Sequence, residues 1–308
     1  MSSRVKRGCP VRPPVLIILI LILLAALVLF LIMRGVDSSS AQSPLPSVTE
    51  SLDPSLSPPP MTTETPGRPS PTSTPSAEPE PEPEPETPAY DFTQPVPESG
   101  AVEDSYFDDA VFVGDSRTAG FMMYSGVPAG DSLTHTGLSI FDVQNGKQCI
   151  KVGKNTYTLP DALALKQYGK IYLCLGVNEL GYNNDEKFYQ AFCQLVDQIR
   201  IDQPDAVIYL QTLIPLNEEV IAESGGKSYL KNDHLRVYNE LIAKVAADKQ
   251  VALVDVYSAF ADESGALPAD ASNDGVHLNK SYCVQWLDYL KTHTVSYDTL
   301  YPEGAETE

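Results

Sequence analysis

The chain has few basic residues for its length. Its 308 residues include 21 Lys and Arg against 41 Asp and Glu, which gives a formal net charge of −20. A nucleic-acid-binding protein needs a basic surface to meet phosphate, so this balance argues against that class. The same balance argues against a folded domain that lies on anionic lipid.

The chain also lacks the usual signatures of metal and phosphate sites. It has no CxxC pair, no cluster of His, Cys and Asp with metal-ligand spacing, and no glycine-rich phosphate loop. We therefore predict no metal and no cofactor. Four of the five cysteines fall in the predicted folded part, where the sequence assigns no disulfide among them: Cys149, Cys174, Cys193 and Cys283.

One long apolar run is present near the N-terminus. Residues 15–33 contain no charged or polar side chain, glycine or proline, and as a helix they would reach roughly 28 Å, about the thickness of a bilayer core. Residues 1–14 carry four basic groups and no acidic group, which predicts a cytoplasmic tail followed by a single transmembrane helix. A cleaved signal peptide is the alternative, although its apolar core usually has only about 7–15 residues.

Residues 34–98 are predicted to be a disordered linker rich in Pro, Ser, Thr and Glu. Of the 26 prolines, 17 lie between Arg34 and Gly100. Such a segment buries too little apolar surface to offset its ordering entropy, and proline-rich acidic sequence is extended. The linker would hold the following domain outside the cytoplasm and away from the membrane, although a spacer without a length requirement is the alternative.

Residues 99–297 are predicted to form one folded domain, followed by an acidic tail at 298–308. Short apolar runs predict buried strands at residues 110–113, 171–175, 207–210 and 251–254, and apolar residues recur at helical spacing between them. Lys280 to Thr292 has the pattern of a last helix. This alternation predicts a three-layer α/β/α fold with a central parallel sheet, with a small hairpin inserted near Gly146 and Asn155.

Two motifs directly follow predicted strands, where ligands bind in sheets of this type. Gly114-Asp115-Ser116 follows the first strand and precedes a helical stretch, so Ser116 would lie at a helix N-terminus whose N–H groups stabilise an oxyanion. A serine that only caps the helix is the alternative. Asn178 follows a later strand, where its amide can donate into the same crevice or form an ordinary turn.

Two further motifs lie in loops. Asp274 precedes His277 by three residues, just before the last helix, and a carboxylate at this spacing can orient an imidazole ring. A pair of solvated loop residues is the alternative. Gly137 lies in a loop after a further strand, predicted between residues 113 and 137, where a glycine lets the backbone approach a substrate oxygen closely. Gly153, in the predicted hairpin, is a rival for that role.

The order Ser, Gly, Asn, Asp-x-x-His resembles the SGNH/GDSL hydrolase family over about residues 105–295. The resemblance implies a flavodoxin-like sheet and a serine ester hydrolase. It implies that Ser116 is the nucleophile, that His277 is the general base and that Asp274 orients His277. The N–H groups of Ser116 and Gly137 and the side chain of Asn178 would form the oxyanion hole.

Two residues depart from the pattern of that family. Arg117 replaces the leucine of the GDSL name and Glu179 replaces the usual aspartate after the asparagine, and neither change removes a catalytic group. Arg117 is placed either to give the cleft a local positive charge or to pair with a neighbouring carboxylate.

With the predicted anchor, the resemblance implies a membrane-tethered extracytoplasmic esterase. It would remove O-acyl groups, above all O-acetyl groups, from cell-envelope or extracellular glycans. An O-acyltransferase on the same glycans and a non-catalytic module that binds a glycan or a partner are the alternatives. Tyr124, Tyr182 and Tyr229 lie in loops or at element ends, where they can stack on sugar or be ordinary surface residues, and His234 is expected to be a surface residue.

Overall fold

The structure is a computed structural model that describes residues 89–302. The predicted cytoplasmic tail, the predicted transmembrane helix and the predicted linker up to residue 88 lie outside these residues and stay predictions. Between residues 89 and 302, none of the helices combines the length and the apolarity that a membrane crossing requires.

The strands form a five-stranded parallel sheet and a separate hairpin. The sheet has the order β2-β1-β5-β6-β7, which is the strand order of flavodoxin-like folds, with the hairpin strands β3 and β4 left out of the count. The sheet strands are β1 Ala110–Gly114, β2 Asp131–Thr134, β5 Lys170–Cys174, β6 Val207–Gln211 and β7 Ala252–Val254. The antiparallel hairpin consists of β3 Ile150–Val152 and β4 Asn155–Tyr157.

Helices connect the strands and cover both faces of the sheet. The longer helices begin with capping side chains or acidic first turns, which satisfy free N–H groups and favour the helix dipole. The α-helices of residues 89–302 are α1 Ser116–Tyr124, α2 Ile140–Gln144, α3 Leu159–Leu163, α4 Asp185–Asp202, α5 Glu218–Glu223, α6 Asn232–Asp248, α7 Val256–Phe260, α8 Lys280–Thr292 and α9 Tyr297–Leu300. Short 3-10 turns lie at Asp104–Phe107, Val177–Glu179 and Ala269–Ala271.

Two cores lie on opposite sides of the sheet because successive residues of a strand point to opposite faces. Val111 and Val113 belong to the core that α2, α3, α4 and α6 cover. Phe112 belongs to the other core, beneath α1, α7 and α8. There it stacks on Tyr172 of the neighbouring strand, with ring centroids 5.0 Å apart, and Tyr172 stacks on Tyr209 at 4.6 Å. These two cores confirm the predicted three-layer fold with a central parallel sheet.

The predicted strands agree with the observed ones to within a residue or two. The main difference in position concerns the hairpin, which lies at residues 150–157 and turns at Gly153, a little after its predicted place. The four cysteines of the described part are buried and free.

Residues 89–98, which the sequence analysis assigned to the linker, lie against the domain. The N–H of Val96 donates to the carbonyl of Leu253 at 2.8 Å, along the edge strand β7, and the Val96 side chain is buried. Tyr90 and Phe92 pack against the same core. The segment therefore covers a sheet edge that would otherwise present unpaired backbone groups. Its three apolar residues were overlooked because polar and proline residues surround them.

The first residues of the predicted acidic tail also belong to the fold. Leu300 in α9 is buried, and the Tyr301 hydroxyl donates to the carbonyl of Gln250 at 2.6 Å. Tyr297, Leu300 and Tyr301 account for this, since they supply apolar surface and Asp298 is the one acidic residue of the tail before Glu303.

A chain that begins at residue 99 is expected to melt below one that begins at residue 89. Full burial of a valine contributes about 1.5–3 kcal/mol, which corresponds to a shift of about 3–10 °C for a domain of this size. Circular dichroism melts of the two chains measure the difference. The Val96→Ala substitution should reproduce part of the decrease in melting temperature. The Gln94→Ala substitution, at an exposed residue, should leave the melting temperature unchanged. Equal melting temperatures for the two chains would contradict the structural role of this segment.

Candidate active site

Ser116 is the first residue of α1 and directly follows the end of β1. The helix is capped by Asp115, whose Oδ1 accepts the N–H of Arg117 at 2.8 Å. The idea that Ser116 merely caps the helix is therefore wrong. Among the hydrogen bonds of the described residues none uses the Ser116 N–H. Both the hydroxyl and the N–H of Ser116 are thus available at the positive end of a helix.

Ser116, His277 and Asp274 form one hydrogen-bonded series. The Oγ of Ser116 lies 2.8 Å from Nε2 of His277, and Nδ1 of His277 lies 2.7 Å from Oδ2 of Asp274. Burial alone would raise the pKa of Asp274, but hydrogen bonds from the backbone and the ring of His277 outweigh burial and lower that pKa to about 2. An ionised carboxylate only accepts, so it holds the proton on Nδ1 and leaves Nε2 free to accept the serine proton.

The loop that carries His277 is tied to the loop after β6. The N–H of Asn217 donates to the carbonyl of Gly275 at 2.9 Å. Within the His277 loop, the hydroxyl of Ser272 donates to Asp274 Oδ1 at 3.0 Å, and the same oxygen accepts the His277 N–H at 2.8 Å. Asp274 therefore both orients the imidazole ring and closes the turn that presents it.

Arg117 is buried behind Ser116 and does not reach the cleft. Its Nη2 donates to the carbonyls of Ile214 and Pro215 at 2.9 and 3.2 Å. No ion pair of Arg117 occurs in residues 89–302. Neither interpretation from the sequence was therefore right, because the guanidinium joins α1 to the loop after β6. This loop carries Asn217 and so supports the histidine.

Asn178 lies in the 3-10 turn after β5 and links three loops. Its Nδ2 donates to the carbonyl of Leu138 at 2.9 Å and, in a longer contact, to Oδ2 of Asp115 at 3.3 Å. The first bond reaches the loop after β2 and the second reaches the residue before Ser116. The contact to Asp115 is longer and therefore weaker. The amide N–H of Asn178 that makes it is the one more readily available to another acceptor.

Gly137 lies in the loop that Asn178 holds. Its φ of +75° is in the region that favours glycine, and no hydrogen bond within the described part uses its N–H. The N–H of His135 donates to the carbonyl of Gly114 at 3.2 Å, which fixes this loop beside β1. Its rival, Gly153, forms the turn of the β3–β4 hairpin. The hydrogen bonds therefore favour Gly137 as the neighbour of Ser116 and Asn178.

A carboxyl group is buried directly behind Asn178. One oxygen of Glu179 accepts the N–H of Ile140, and the other finds no partner among residues 89–302. Burial, with a smaller contribution from the charge of Asp115, raises the pKa of Glu179 to about 8. Burial also raises the pKa of Asp115, to about 6. Glu179 is therefore mostly protonated at neutral pH, which avoids two buried charges beside the serine.

Replacing Glu179 by glutamine is expected to stabilise the fold at pH 8 and to have little effect at pH 4. In the unfolded chain the carboxyl ionises near its ordinary pKa of 4.5, whereas in the fold it ionises near 8. The wild type therefore loses stability between these values as the pH rises, on the order of a few kcal/mol. Urea unfolding at pH 4, 6 and 8 measures this loss.

The exposed Glu240→Gln is the matched control for this measurement. It should retain the pH dependence of the wild type. A Glu179→Gln variant with the same loss of stability between pH 4 and 8 as the wild type would show that folding does not raise the pKa of Glu179.

The site thus combines a doubly wound parallel sheet with serine, histidine and aspartate at the carboxyl ends of its strands. Two free N–H groups and an asparagine amide lie on neighbouring loops. The model of the GDSL-like Lipase/Acylhydrolase family matches residues 112–281, and the chain belongs to this family. The resemblance identified from the sequence is confirmed. Acylhydrolases of this family cleave esters, which agrees with the class of chemistry that the sequence predicts.

Several solved structures are similar to the chain. A candidate platelet activating factor from Streptococcus pneumonia is 19% identical with a TM-score of 0.49, and the match covers 63% of this chain and 85% of that one. A GDSL-like lipase from Bacteroides thetaiotaomicron is 13% identical with a TM-score of 0.43, and the match covers 58% of this chain and 85% of that one. The periplasmic domain of a lipopolysaccharide acetyltransferase from Salmonella ser. Paratyphi A is 16% identical with a TM-score of 0.43. That match covers 62% of this chain and 84% of the other. No curated protein matches the chain.

The structure brings the predicted site residues together and adds others. Leu138 and Asn217 were not identified from the sequence, because the backbone carbonyl of the first and the backbone N–H of the second make the contacts. A signal for Glu179 was present, since a charged residue follows Asn178 directly after an apolar strand. It was interpreted only as a departure from the family pattern.

Proposed function

We propose that the protein is a serine esterase with Ser116 as its nucleophile. The hydrogen-bonded series from Ser116 through His277 to Asp274 is the observation that carries this proposal. Ser116 Oγ attacks the ester carbonyl while Nε2 of His277 takes its proton. The ionised Asp274 stabilises the imidazolium that forms.

The tetrahedral intermediate then collapses and is followed by hydrolysis. The alcohol leaves with the proton from Nε2, and the acyl group stays on Oγ. Water attacks this acyl-enzyme, gives its proton to Nε2 of His277, and the acid is released as Oγ recovers a proton. The N–H groups of Ser116 and Gly137 and the amide of Asn178 would stabilise the oxyanion, where removal of one donor costs about 10²–10³-fold in rate.

We infer that the esters are O-acyl groups, chiefly O-acetyl groups, on glycans of the cell envelope or outside the cell. The predicted anchor at residues 15–33 and the linker after it support this location. The side chain of His277 remains 48% exposed, so an ester on a large polymer can approach the site. The open site also favours hydrolysis over transfer, because an acyl-enzyme awaiting a sugar acceptor needs protection from water.

Product analysis tests this assignment against its alternatives. The full-length protein is given p-nitrophenyl acetate in the presence of xylotriose, and nitrophenol, acetate and O-acetylated sugar are measured. A hydrolase releases acetate in an amount equal to nitrophenol. Acetylated sugar in excess of acetate would identify a transferase, and no activity above that of Ser116→Ala would identify a binding module.

A further inference from the structure

A second cavity lies beside the turn that carries Asn178. Its volume of about 530 Å³ is within the range of small-molecule sites. Leu180, two residues after Asn178, forms part of its wall. The lining residues are Leu180, Asn183, Asp185, Tyr229, Lys231 and His234, together with Asp233. Neither Ser116 nor His277 belongs to its lining.

The opposite wall of the cavity is connected to the histidine loop. Nζ of Lys231 forms an ion pair with Glu218 at 2.6 Å. Glu218 is the first residue of α5 and follows Asn217, whose N–H binds the carbonyl of Gly275. The lining of the cavity is thus connected both to the turn of Asn178 and to the segment that supports the His277 loop.

Tyr229 forms a flat wall of this cavity. A Cβ atom added to Gly181 would lie 3.2–3.3 Å from three atoms of the Tyr229 ring, so one face of the ring covers the Gly181 backbone. The side chain is nevertheless 45% exposed, which leaves the other face open. A Cβ atom at 181 would displace the ring by a few tenths of an ångström. An aromatic face beside polar groups is a surface on which the apolar face of a sugar ring packs well.

The polar groups around Tyr229 fit hydroxyl groups and not anions. Lys231 is paired with Glu218 outside the cavity, and one oxygen of Asp233 is paired with Arg236. Asp185 and the other oxygen of Asp233 supply the carboxylate oxygens of the lining. His234 holds Asp185 in place, with Nε2 at 2.9 Å from its Oδ1, and Nδ1 lies 3.0 Å from the carbonyl of Leu180. The unpaired carboxylate oxygens accept hydrogen bonds from hydroxyl or amide groups and repel phosphate or uronate.

We propose that this cavity is a glycan subsite that binds an uncharged pyranose ring, stacked on Tyr229, of the same chain that carries the acyl group. The inference rests on the proposed esterase function and names its substrate more closely. The acylated sugar lies at Ser116, and a neighbouring sugar occupies the cavity. Recognition therefore requires an oligosaccharide with uncharged sugar residues, and a small ester does not use the subsite.

Tyr229→Ala tests the subsite through the ratio of two activities of the full-length protein. The substrates are p-nitrophenyl acetate, which is too small to reach the cavity, and partially O-acetylated xylotriose and chitotriose. We expect kcat/KM for at least one trisaccharide to fall about tenfold or more, mainly through KM, as for other aromatic anchors. Activity on p-nitrophenyl acetate should stay within about twofold of the wild type.

Tyr124→Ala is the matched control, because Tyr124 is also 45% exposed and lies at the end of α1, outside the lining of the cavity. It should leave both activities unchanged. If Tyr229→Ala hydrolyses the trisaccharides as well as the wild type does, or loses the same factor on both substrates, the subsite is wrong and the esterase function stands.

A binding measurement separates the subsite from the proposed function. Unacylated xylotriose and chitotriose are titrated calorimetrically into the Ser116→Ala variant and into the Ser116→Ala/Tyr229→Ala double variant. Binding to the first that is lost in the second supports the subsite even if the wild type hydrolyses no ester. If neither trisaccharide binds the Ser116→Ala variant, the subsite is overturned whatever the esterase assay gives.

Discussion

Replacing Ser116 by alanine is expected to lower kcat for p-nitrophenyl acetate by a factor on the order of 10³–10⁶. The variant keeps the N–H groups and the Asn178 amide, which polarise a carbonyl, but it has no oxygen to form the acyl-enzyme. Water must then attack the ester directly, without the covalent attachment that keeps the serine oxygen 2.8 Å from Nε2 of His277. Initial rates measured against the uncatalysed reaction give the factor.

Two controls define the result for Ser116. The exposed Ser281→Ala in α8 should retain the rate of the wild type. The double variant Ser116→Ala/His277→Ala should be no slower than Ser116→Ala alone, since the two side chains act as one unit. A Ser116→Ala variant with more than about a tenth of the wild-type rate would mean that another group attacks the ester.

Replacing Asp274 by asparagine is expected to lower kcat by a factor on the order of 10⁴. The carboxylate accepts the proton of Nδ1, whereas an asparagine amide can turn its NH₂ toward this nitrogen. The ring then carries its proton on Nε2, where it no longer accepts the proton of Ser116. In this orientation the asparagine carbonyl takes the place of Oδ1 and still accepts the backbone N–H bonds, so the loop itself favours the orientation that puts the proton on Nε2.

Stability measurements distinguish the electrostatic role of Asp274 from damage to the loop. The pKa of Asp274 falls from its ordinary 3.8 to about 2 in the fold. The ionised group therefore contributes stability above about pH 4, and this contribution is lost as the pH falls toward 2. In Asp274→Asn that part of the acid dependence should be absent. Asp270→Asn, in the same region but bonded to the Tyr282 hydroxyl, should keep both the acid dependence and the rate. Full activity of Asp274→Asn would refute the orienting role.

The position of the site was predictable because its residues follow strands or adjoin the last helix. The carboxyl ends of all strands in a parallel sheet lie at the same edge. Since Ser116 and Asn178 follow two neighbouring strands, they were expected to lie near each other once the strands were identified. The distance between Ser116 and His277, which are 161 positions apart, follows from packing that no local pattern encodes. That Ser116 and His277 lie together was predicted only because the order of the motif residues resembles a known family.

The supporting contacts were less accessible to prediction because they depend on burial. Arg117 follows a serine at a helix start, where a long basic side chain would usually reach solvent, yet its guanidinium extends to the carbonyls of Ile214 and Pro215. Glu179 likewise belongs to a residue type that is seldom buried unpaired. In both cases the partner is a backbone carbonyl or N–H that is distant in sequence, so no pattern in the residues around Arg117 or Glu179 predicts its position.

The segment that covers β7 also determines how the domain would respond to mechanical load. A pull applied at residue 89 reaches the sheet first at the single bond from Val96 to Leu253. It next reaches the bonds from the Ser99 N–H to the Thr292 carbonyl at 2.7 Å and from the Val102 N–H to the Lys291 carbonyl at 3.0 Å. Under such a pull these contacts would break one after another, and each break would release a few more residues. The chain would therefore lengthen before β1 and Ser116 came under strain.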